Sequence, residues 1–281
     1  MKKLLIVIFA VVLTTCFYSC DKIEGPYVVI NENEDVTADF PDLDPSSVYR
    51  KIFFEEYTAH RCPNCPRGHE RLETLQETYG DTLVAMAIHS TTLATPIAEF
   101  PADFRTEAGN ELTALYNIDG IPAAIINRGM VSGGLGLTMW TPKLKQADRT
   151  VYAAIQLVNQ FGLTNADVLK VNAKVTMLAD YPNPLRLALY LVEDGIVSRQ
   201  MYDTEVIEDY VHNHMLRAAI NGTYGVNITP DGMLQNNTSY TYANSISFAG
   251  KDWNPDNCSV IAILYDKNDN VVIQVEKLNV R

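Results

Sequence analysis

Cys62-Pro63-Asn64-Cys65 is the stretch of this 281-residue chain in which residue type and spacing most directly specify a reaction. A two-residue spacer lets both sulfurs meet within a single turn. Where such a turn opens a helix, backbone N–H groups and the helix dipole favour negative charge on the first sulfur. Its pKa falls and thiolate accumulates at neutral pH. The thiolate attacks a disulfide, and the second cysteine resolves the mixed disulfide. On this logic Cys62 is the nucleophile and Cys65 the resolving thiol, with Pro63 and Asn64 as the spacer that meets the substrate. His60 and Arg61 lie immediately upstream, where a positive charge would stabilise the thiolate further. The loop closed by such a pair is too short to constrain much of the unfolded chain, so its purpose is chemical rather than structural.

The pair needs a strand to deliver it and a helix to receive it. Lys51 to Thr58 is an aromatic-rich strand candidate. Gly68 to Tyr79 has helical periodicity, with Gly80 placed as a C-cap. Leu83 to His89 is a continuous apolar run, as in a parallel strand covered on both faces. Together these predict a right-handed βαβ unit. A helix over Phe104 to Tyr116, a buried strand over Gly120 to Asn127 and a helix from Pro142 to Phe161 follow. A dithiol after a strand and at the head of a helix, inside a βαβ unit, reads as a thioredoxin-like site. Pro122 then resembles the cis-proline that faces the dithiol, with Ile121 presenting its backbone to an extended substrate. Glu56, six residues before Cys62, lies where thioredoxins place a buried acid that helps deprotonate the resolving thiol. By strand alternation alone it is equally a solvent-facing residue.

Beyond Gly162 the helical signals stop. Leu169 to Met177 and Leu185 to Leu191 alternate, and further strands are expected at Thr238 to Phe248, Ser259 to Tyr265 and Val271 to Val275. Short antiparallel strands separated by turn residues suggest an all-β, immunoglobulin-like sandwich. The expected fold is therefore an α/β thioredoxin-like domain over 48–162 followed by a β-sandwich domain over 163–281.

The N-terminus bears on compartment. Met1-Lys2-Lys3 is a basic n-region and Leu4 to Leu13 an apolar run too short to span a bilayer, so residues 1–19 read as a signal peptide. Cys20, preceded by the small Ser19, resembles the lipidated cysteine of a bacterial lipobox; export without a lipid is the plainer alternative. Residues 20–47 are acidic and Pro-punctuated and read as a tether. Export places the thiols where disulfides persist. The composition, 47% hydrophobic and 20% charged, excludes a disordered chain and a polytopic membrane protein. A net charge of -12 argues against nucleic acid and anionic headgroups as partners.

The run His60 to His69, the Gly120-Ile121-Pro122 element and Tyr210-Val211-His212-Asn213-His214 with Arg217 resemble one bacterial family, the Omp-twenty-eight-related outer-membrane lipoproteins of Bacteroidetes. The resemblance covers most of the mature chain. It implies outer-membrane association and a thioredoxin-like domain followed by a β-rich domain, and it leaves the activity undefined.

The reading is a cell-envelope lipoprotein that exchanges thiols and disulfides with extended envelope proteins, held to the membrane by its N-terminal lipid and using no cofactor. Two rivals stand beside it. One is a non-enzymatic binding or adhesion lipoprotein with a dormant dithiol, since a fold does not settle function. The other is a copper or zinc site built from His60, Cys62, Cys65 and His69, whose spacing is not that of a zinc finger. Haem attachment of the usual kind is excluded by Pro66, which stands where a histidine should follow the second cysteine. His212 and His214, two apart, would share one face of a strand and could reach one metal. Packing or hydrogen bonding is the plainer role for them. Cys258 near Trp253 reads as a small buried hydrophobe, or a reactive thiol if exposed.

Overall fold

The computed structural model describes residues 35–129, 131–163 and 165–281. The expected signal peptide (1–19), the candidate lipidation site Cys20 and the first part of the expected tether lie outside the described residues.

Strand β1 (Ile52–Thr58) is buried along its whole length, so its alternating side chains serve two cores. Ile52 and Phe54 face helix α1 (Cys65–Tyr79) and Trp140; Phe53 and Tyr57 face helix α2 (Glu107–Leu115). Strand β2 (Leu83–His89) pairs parallel to β1, with Glu56 opposite Ala87. Strand β3 (Ala123–Ile126) pairs antiparallel on the other side of β1, with Glu56 opposite Ala124. The β1–α1–β2 unit thus forms around the dithiol turn, and β3 carries Ile121-Pro122 at its head. The glutamates Glu55 and Glu56 are both buried and point to opposite faces of β1.

Helix α3 spans Leu137–Lys145 and stops there. The helix expected from Pro142 to Phe161 is not formed. Pro142 sits inside α3, where it removes one intrahelical donor. Asp148 then turns the chain by accepting from the Thr150 N–H at 2.9 Å. Residues Ala153–Phe161 become strand β4, whose alternation with Gln156 and Gln160 suits a half-covered sheet.

Strand β5 (Val168–Met177) lies between β4 and β11 (Ser239–Ser247) in a three-stranded antiparallel sheet. The larger sheet continues from β2 into the second half of the chain. Its order is β13 (Val272–Asn279), β12 (Cys258–Asp266), β6 (Leu185–Glu193), β9 (Met215–Ala219), β2, β1, β3, with β10 (Val226–Asn227) also on β6. Strand β9 makes the join: Ala87 donates its N–H to the His214 carbonyl at 2.7 Å. The two sheets enclose a core that includes Val171 and Tyr242 from one layer and Leu187, Leu189 and Val260 from the other. Beneath β1, Arg128 makes a bidentate pair with Glu55 (2.7 and 3.0 Å) and donates to Tyr190 of β6, so one buried charge pair stitches both halves.

The remaining strands, β7 (Ile196–Tyr202) and β8 (Glu205–His212), pair only with each other among the described residues. This hairpin leaves the body of the second half and lies across the dithiol turn. Residues 35–47 are tied to the three-stranded sheet: the Thr37 N–H donates to Asn172, and Gln156 donates to the Pro41 carbonyl.

Candidate functional site: a dithiol under a hairpin

Cys65 begins α1 and Asn64 caps it, so Cys62 stands just before the helix N-terminus. The two cysteines form a disulfide with Cα atoms 5.4 Å apart. Cys62 is 2% exposed and Cys65 fully buried, packed with Ala59, Ala94, Leu93 and Ile121. The Ile121-Pro122 peptide is cis. The Cys62 Sγ lies 3.8 Å from the Ile121 carbonyl oxygen, so the proline element and the dithiol face each other. Pro63 is half-buried and Asn64 exposed, its side-chain oxygen accepting from Arg67.

Neither upstream cation candidate serves the sulfur. The Arg61 guanidinium donates to the carbonyls of Thr92 and Thr95 and so fastens the neighbouring loop. His60 is buried against His89, Phe100 and Phe104. Burial, and next the charge of Arg61, hold its imidazole down to about 4, so it is neutral at pH 7.

Glu56 approaches the first turn of α1 from below. A Cβ placed on Gly68 would lie 2.7 Å from Glu56 Oε1, 3.0 Å from Pro122 Cβ and 3.2 Å from Trp140. Gly68 is therefore the gap through which the carboxyl reaches the dithiol helix and the proline. Glu56 is 1% exposed, and among the described residues Oε1 has no hydrogen-bond partner. Burial pushes its carboxyl up to about 8, with the Glu73 charge adding to the effect.

His69, one residue further along α1, lies with Nε2 3.7 Å from Glu56 Oε1 and 2.9 Å from Thr58 Oγ1. Its Nδ1 is 2.6 Å from the Tyr210 hydroxyl. Desolvation lowers His69 to about 3, so the contact with Glu56 joins two groups that are neutral at pH 7. A cavity of about 30 Å³ opens between them, lined in part by Glu56, His69, His89, Tyr210 and His212.

The hairpin closes the site from above. Met201 donates its N–H to the His60 carbonyl at 2.8 Å, and Asp203 to the Pro63 carbonyl at 2.9 Å. The fully buried Gln200 donates from Nε2 to the carbonyls of Cys62 (3.1 Å) and Ala59 (3.3 Å). At the rim Arg67 Nη2 donates to both carboxylate oxygens of Asp203, and the Tyr202 hydroxyl donates to Glu70.

His60, Cys62, Cys65 and His69 do not converge as ligands: the sulfurs bond to each other, His60 turns to His89, and His69 turns to Thr58 and Tyr210. Among the described residues, no group of three His, Cys, Asp or Glu side chains could hold a metal ion. His212 and His214 do not share a face. Strand β8 ends at His212, and His214 has φ 60°, which swings its ring to Gln76 and Asp194. His212 instead packs on His89 and Phe104, held down to about 4 by burial. Cys258 is buried at 1% exposure, and desolvation pushes its thiol up to about 12. Sequence reasoning missed Gln200 and the structural partnership of Tyr210. It also missed that all five histidines of the chain gather around this site, a compositional signal that was available.

These features define a mixed α/β and β protein with a disulfide-forming dithiol beneath a hairpin. The family described as outer membrane protein Omp28 matches residues 109–281, more than half of the chain. The chain belongs to the Omp28 family, which places it at the outer membrane. The matched segment contains Pro122, Gln200 and Tyr210 and begins after Cys62 and Cys65. No curated protein sequence matches the chain. Among solved structures, HBP35 of Porphyromonas gingivalis is similar, with a TM-score of 0.63 and 16% identity over 83% of this chain and 76% of that one. At that identity the likeness speaks to fold alone. A domain of the outer membrane lipoprotein Omp28 from Porphyromonas gingivalis matches 47% of this chain and 89% of its own length, at 21% identity and a TM-score of 0.32.

Proposed function

We propose that this chain is a lipid-anchored outer-membrane protein whose thioredoxin-like half exchanges thiols and disulfides with extended segments of envelope proteins. The observation that carries the reading is the alignment of Cys62 Sγ, the head of α1 and the Ile121 carbonyl, with the Cys62–Cys65 bond formed between them. In the reduced protein the helix N-terminus favours the Cys62 thiolate. It attacks a substrate disulfide, forming a mixed disulfide and releasing one substrate thiolate. In the ionised fraction of Glu56, which grows as pH rises toward 8, the carboxylate takes the Cys65 proton; Cys65 attacks Cys62 Sγ, and the second substrate thiolate leaves. The dithiol is oxidised and the substrate disulfide reduced; the opposite direction uses the same steps in reverse. Pro63, Asn64 and Ile121 border the approach, and the apolar rim of Leu93 and Ile121 favours apolar residues beside the substrate cysteine.

Anchoring through Cys20 and an immunoglobulin-like arrangement of the second half belong to the same proposal. The chain's charge of -12 supports protein partners over nucleic acid. The reading is tested by a Cys65→Ser variant expressed in the envelope. It should accumulate mixed disulfides through Cys62 that reductant releases; a variant that captures nothing refutes it.

A second reading has one observation in its favour: Cys62 is 2% exposed beneath the hairpin. A binding protein with a dormant dithiol would bury its sulfurs in this way. The same capture experiment separates the two.

A further inference from the structure

Glu56 must lose each proton it accepts, yet it is buried and its Oε1 has no partner among the described residues. Beside it the cavity of about 30 Å³ is large enough for one or two water molecules, whose minimum is roughly 10–15 Å³. Both ring nitrogens of His89 and of His212 are also buried without partners around this space. Water in this space would give Glu56 Oε1 the partner it lacks and reach ring nitrogens that face the cavity. From this space a line of polar atoms leads outward, with a gap between Glu56 and His69 that one water bridges in the relay below. His69 Nε2 stands 3.7 Å from Glu56 Oε1, and His69 Nδ1 stands 2.6 Å from the hydroxyl of the half-buried Tyr210.

We infer that His69, Tyr210 and water in this cavity form the proton exit of the dithiol site, so that the hairpin of the second half completes the machinery of the first. The inference rests on the thiol-exchange reading above. As Cys65 attacks Cys62 Sγ, its proton passes to the Glu56 carboxylate. Glu56 then returns to the ionised form by giving that proton, through water, to His69 Nε2. In the same movement Nδ1–H passes its proton to the Tyr210 oxygen, and the phenolic proton leaves to solvent. Charge balances at each step: one proton enters the imidazole as one leaves, and neither ring needs to carry a net charge. This suits an environment in which burial keeps His69 and the neighbouring imidazoles neutral. Nothing in the relay uses the metal chemistry that clustered histidines otherwise suggest.

The titratable groups facing Glu56 are Glu73 and His69 on α1, His89 on β2, and Tyr210, His212 and His214 around the end of β8. Only His69 and Tyr210 are joined to each other by a hydrogen bond that spans from the helix to the hairpin.

The test uses the full mature chain, reduced and then loaded at Cys62 with oxidised glutathione, which leaves one glutathione on the sulfur and releases the other as thiolate. Resolution by Cys65 is followed in a single turnover across pH 5 to 9, in water and in deuterium oxide. Tyr210→Phe keeps the ring and its packing but removes the hydroxyl; His69→Gln keeps one polar group but not the two-nitrogen shuttle. Both are expected to slow resolution about tenfold or more, within the range for a positioned proton-transfer group. Both should also enlarge the solvent isotope effect, while Cys62 loading by glutathione stays at the wild-type rate. A purely structural role would change loading and resolution together and leave the isotope effect alone. Wild-type resolution in both variants, with Glu56→Gln slow, overturns the relay and leaves the thiol-exchange reading standing. A wild-type protein that never loads or resolves overturns both.

Discussion

The Asp203 N–H donates to the Pro63 carbonyl at 2.9 Å, tying the tip of the β7–β8 hairpin to the spacer of the dithiol across 140 residues of chain. With the Met201 bond to His60 and the Gln200 bonds to Ala59 and Cys62, the second half grips the backbone on which both sulfurs are mounted. On the proposed function, a substrate would meet the disulfide from the Ile121 side, where Cys62 Sγ lies 3.8 Å from the Ile121 carbonyl oxygen.

Gln200→Ala should loosen this grip. Its Nε2 adds a second hydrogen bond to carbonyls that already accept from the Cys62 and Cys65 N–H groups, so each bond lost costs about 0.5–1.5 kcal/mol. A lowered urea midpoint together with faster reduction of Cys62–Cys65 by dithiothreitol is the expected pair of results. Unchanged reduction would mean that the hairpin does not limit access.

Gly68→Ala should disturb the site through one methyl group. The added Cβ meets Glu56 Oε1 at 2.7 Å and Pro122 Cβ at 3.0 Å; the carboxyl borders the small cavity, whereas the proline ring has little freedom to move. Overpacking of this kind costs about 1–3 kcal/mol, against a helix-propensity gain for alanine of about 1. The net change should be destabilising, and shortening the acid in a Gly68→Ala, Glu56→Ala double variant should recover stability. A double-mutant cycle read by urea unfolding measures that coupling.

Glu56 makes stability depend on pH in a defined direction. Its folded carboxyl titrates near 8, above the ordinary value of 4.5, so the folded protein holds the proton more tightly. The corresponding stability is present below about 4.5 and is lost as pH rises through 8. Glu56→Gln should therefore gain on the wild type by on the order of 3 kcal/mol at pH 7 and above, and by nothing near pH 4. Urea midpoints at the two ends of the range check this. A gain that is the same at both pH values would contradict it.

The buried histidines act in the opposite sense. His60 and His212 titrate near 4, below their ordinary 6.5, because burial disfavours the imidazolium. Stability is present above 6.5 and is lost as pH falls through 4. Acid should therefore weaken the hairpin contact, and His212→Phe, which keeps an aromatic ring against Phe104, should flatten the acid limb of the stability curve. Hydrogen exchange in residues 196–212 should accelerate first on acidification.

Arg128→Ala should be the most damaging single change considered. It strands the fully buried Glu55 carboxylate and unpins Tyr190, and breaking a buried pair from one side costs about 3–5 kcal/mol. Loss of cooperative unfolding across both halves is expected. A cost under 1 kcal/mol would mean that the shared sheet, rather than this pair, joins them.

How much of this was legible in the sequence follows from how local each signal is. Cys62, Cys65 and the Ile121-Pro122 element carry their meaning in a few neighbouring residues. The parallel strand at Leu83 and the strand at Ser259 stand out because burial on both faces makes them mostly apolar, and the strand at Leu185 because it opens on an alternation. Strand β4 was mistaken for helix because only its first residues are fully covered, and its pairing with β5 leaves no local trace. The hairpin at 196–212 is largely polar and depends on a turn far away in the chain, so nothing in its own residues announces what it covers. The burial of Glu56 depends likewise on Gly68 and Pro122, which meet only in three dimensions.

The most direct test of the account is the redox equilibrium of Cys62–Cys65 with glutathione in the full mature protein. Thiol exchange predicts a reversible, two-electron titration with a potential above about -300 mV, the level below which structural disulfides typically lie. The fluorescence of Trp140, packed against the Gly68 turn, offers a readout. A disulfide that glutathione neither opens nor reforms would contradict the account and leave the dithiol as a fixture of the fold.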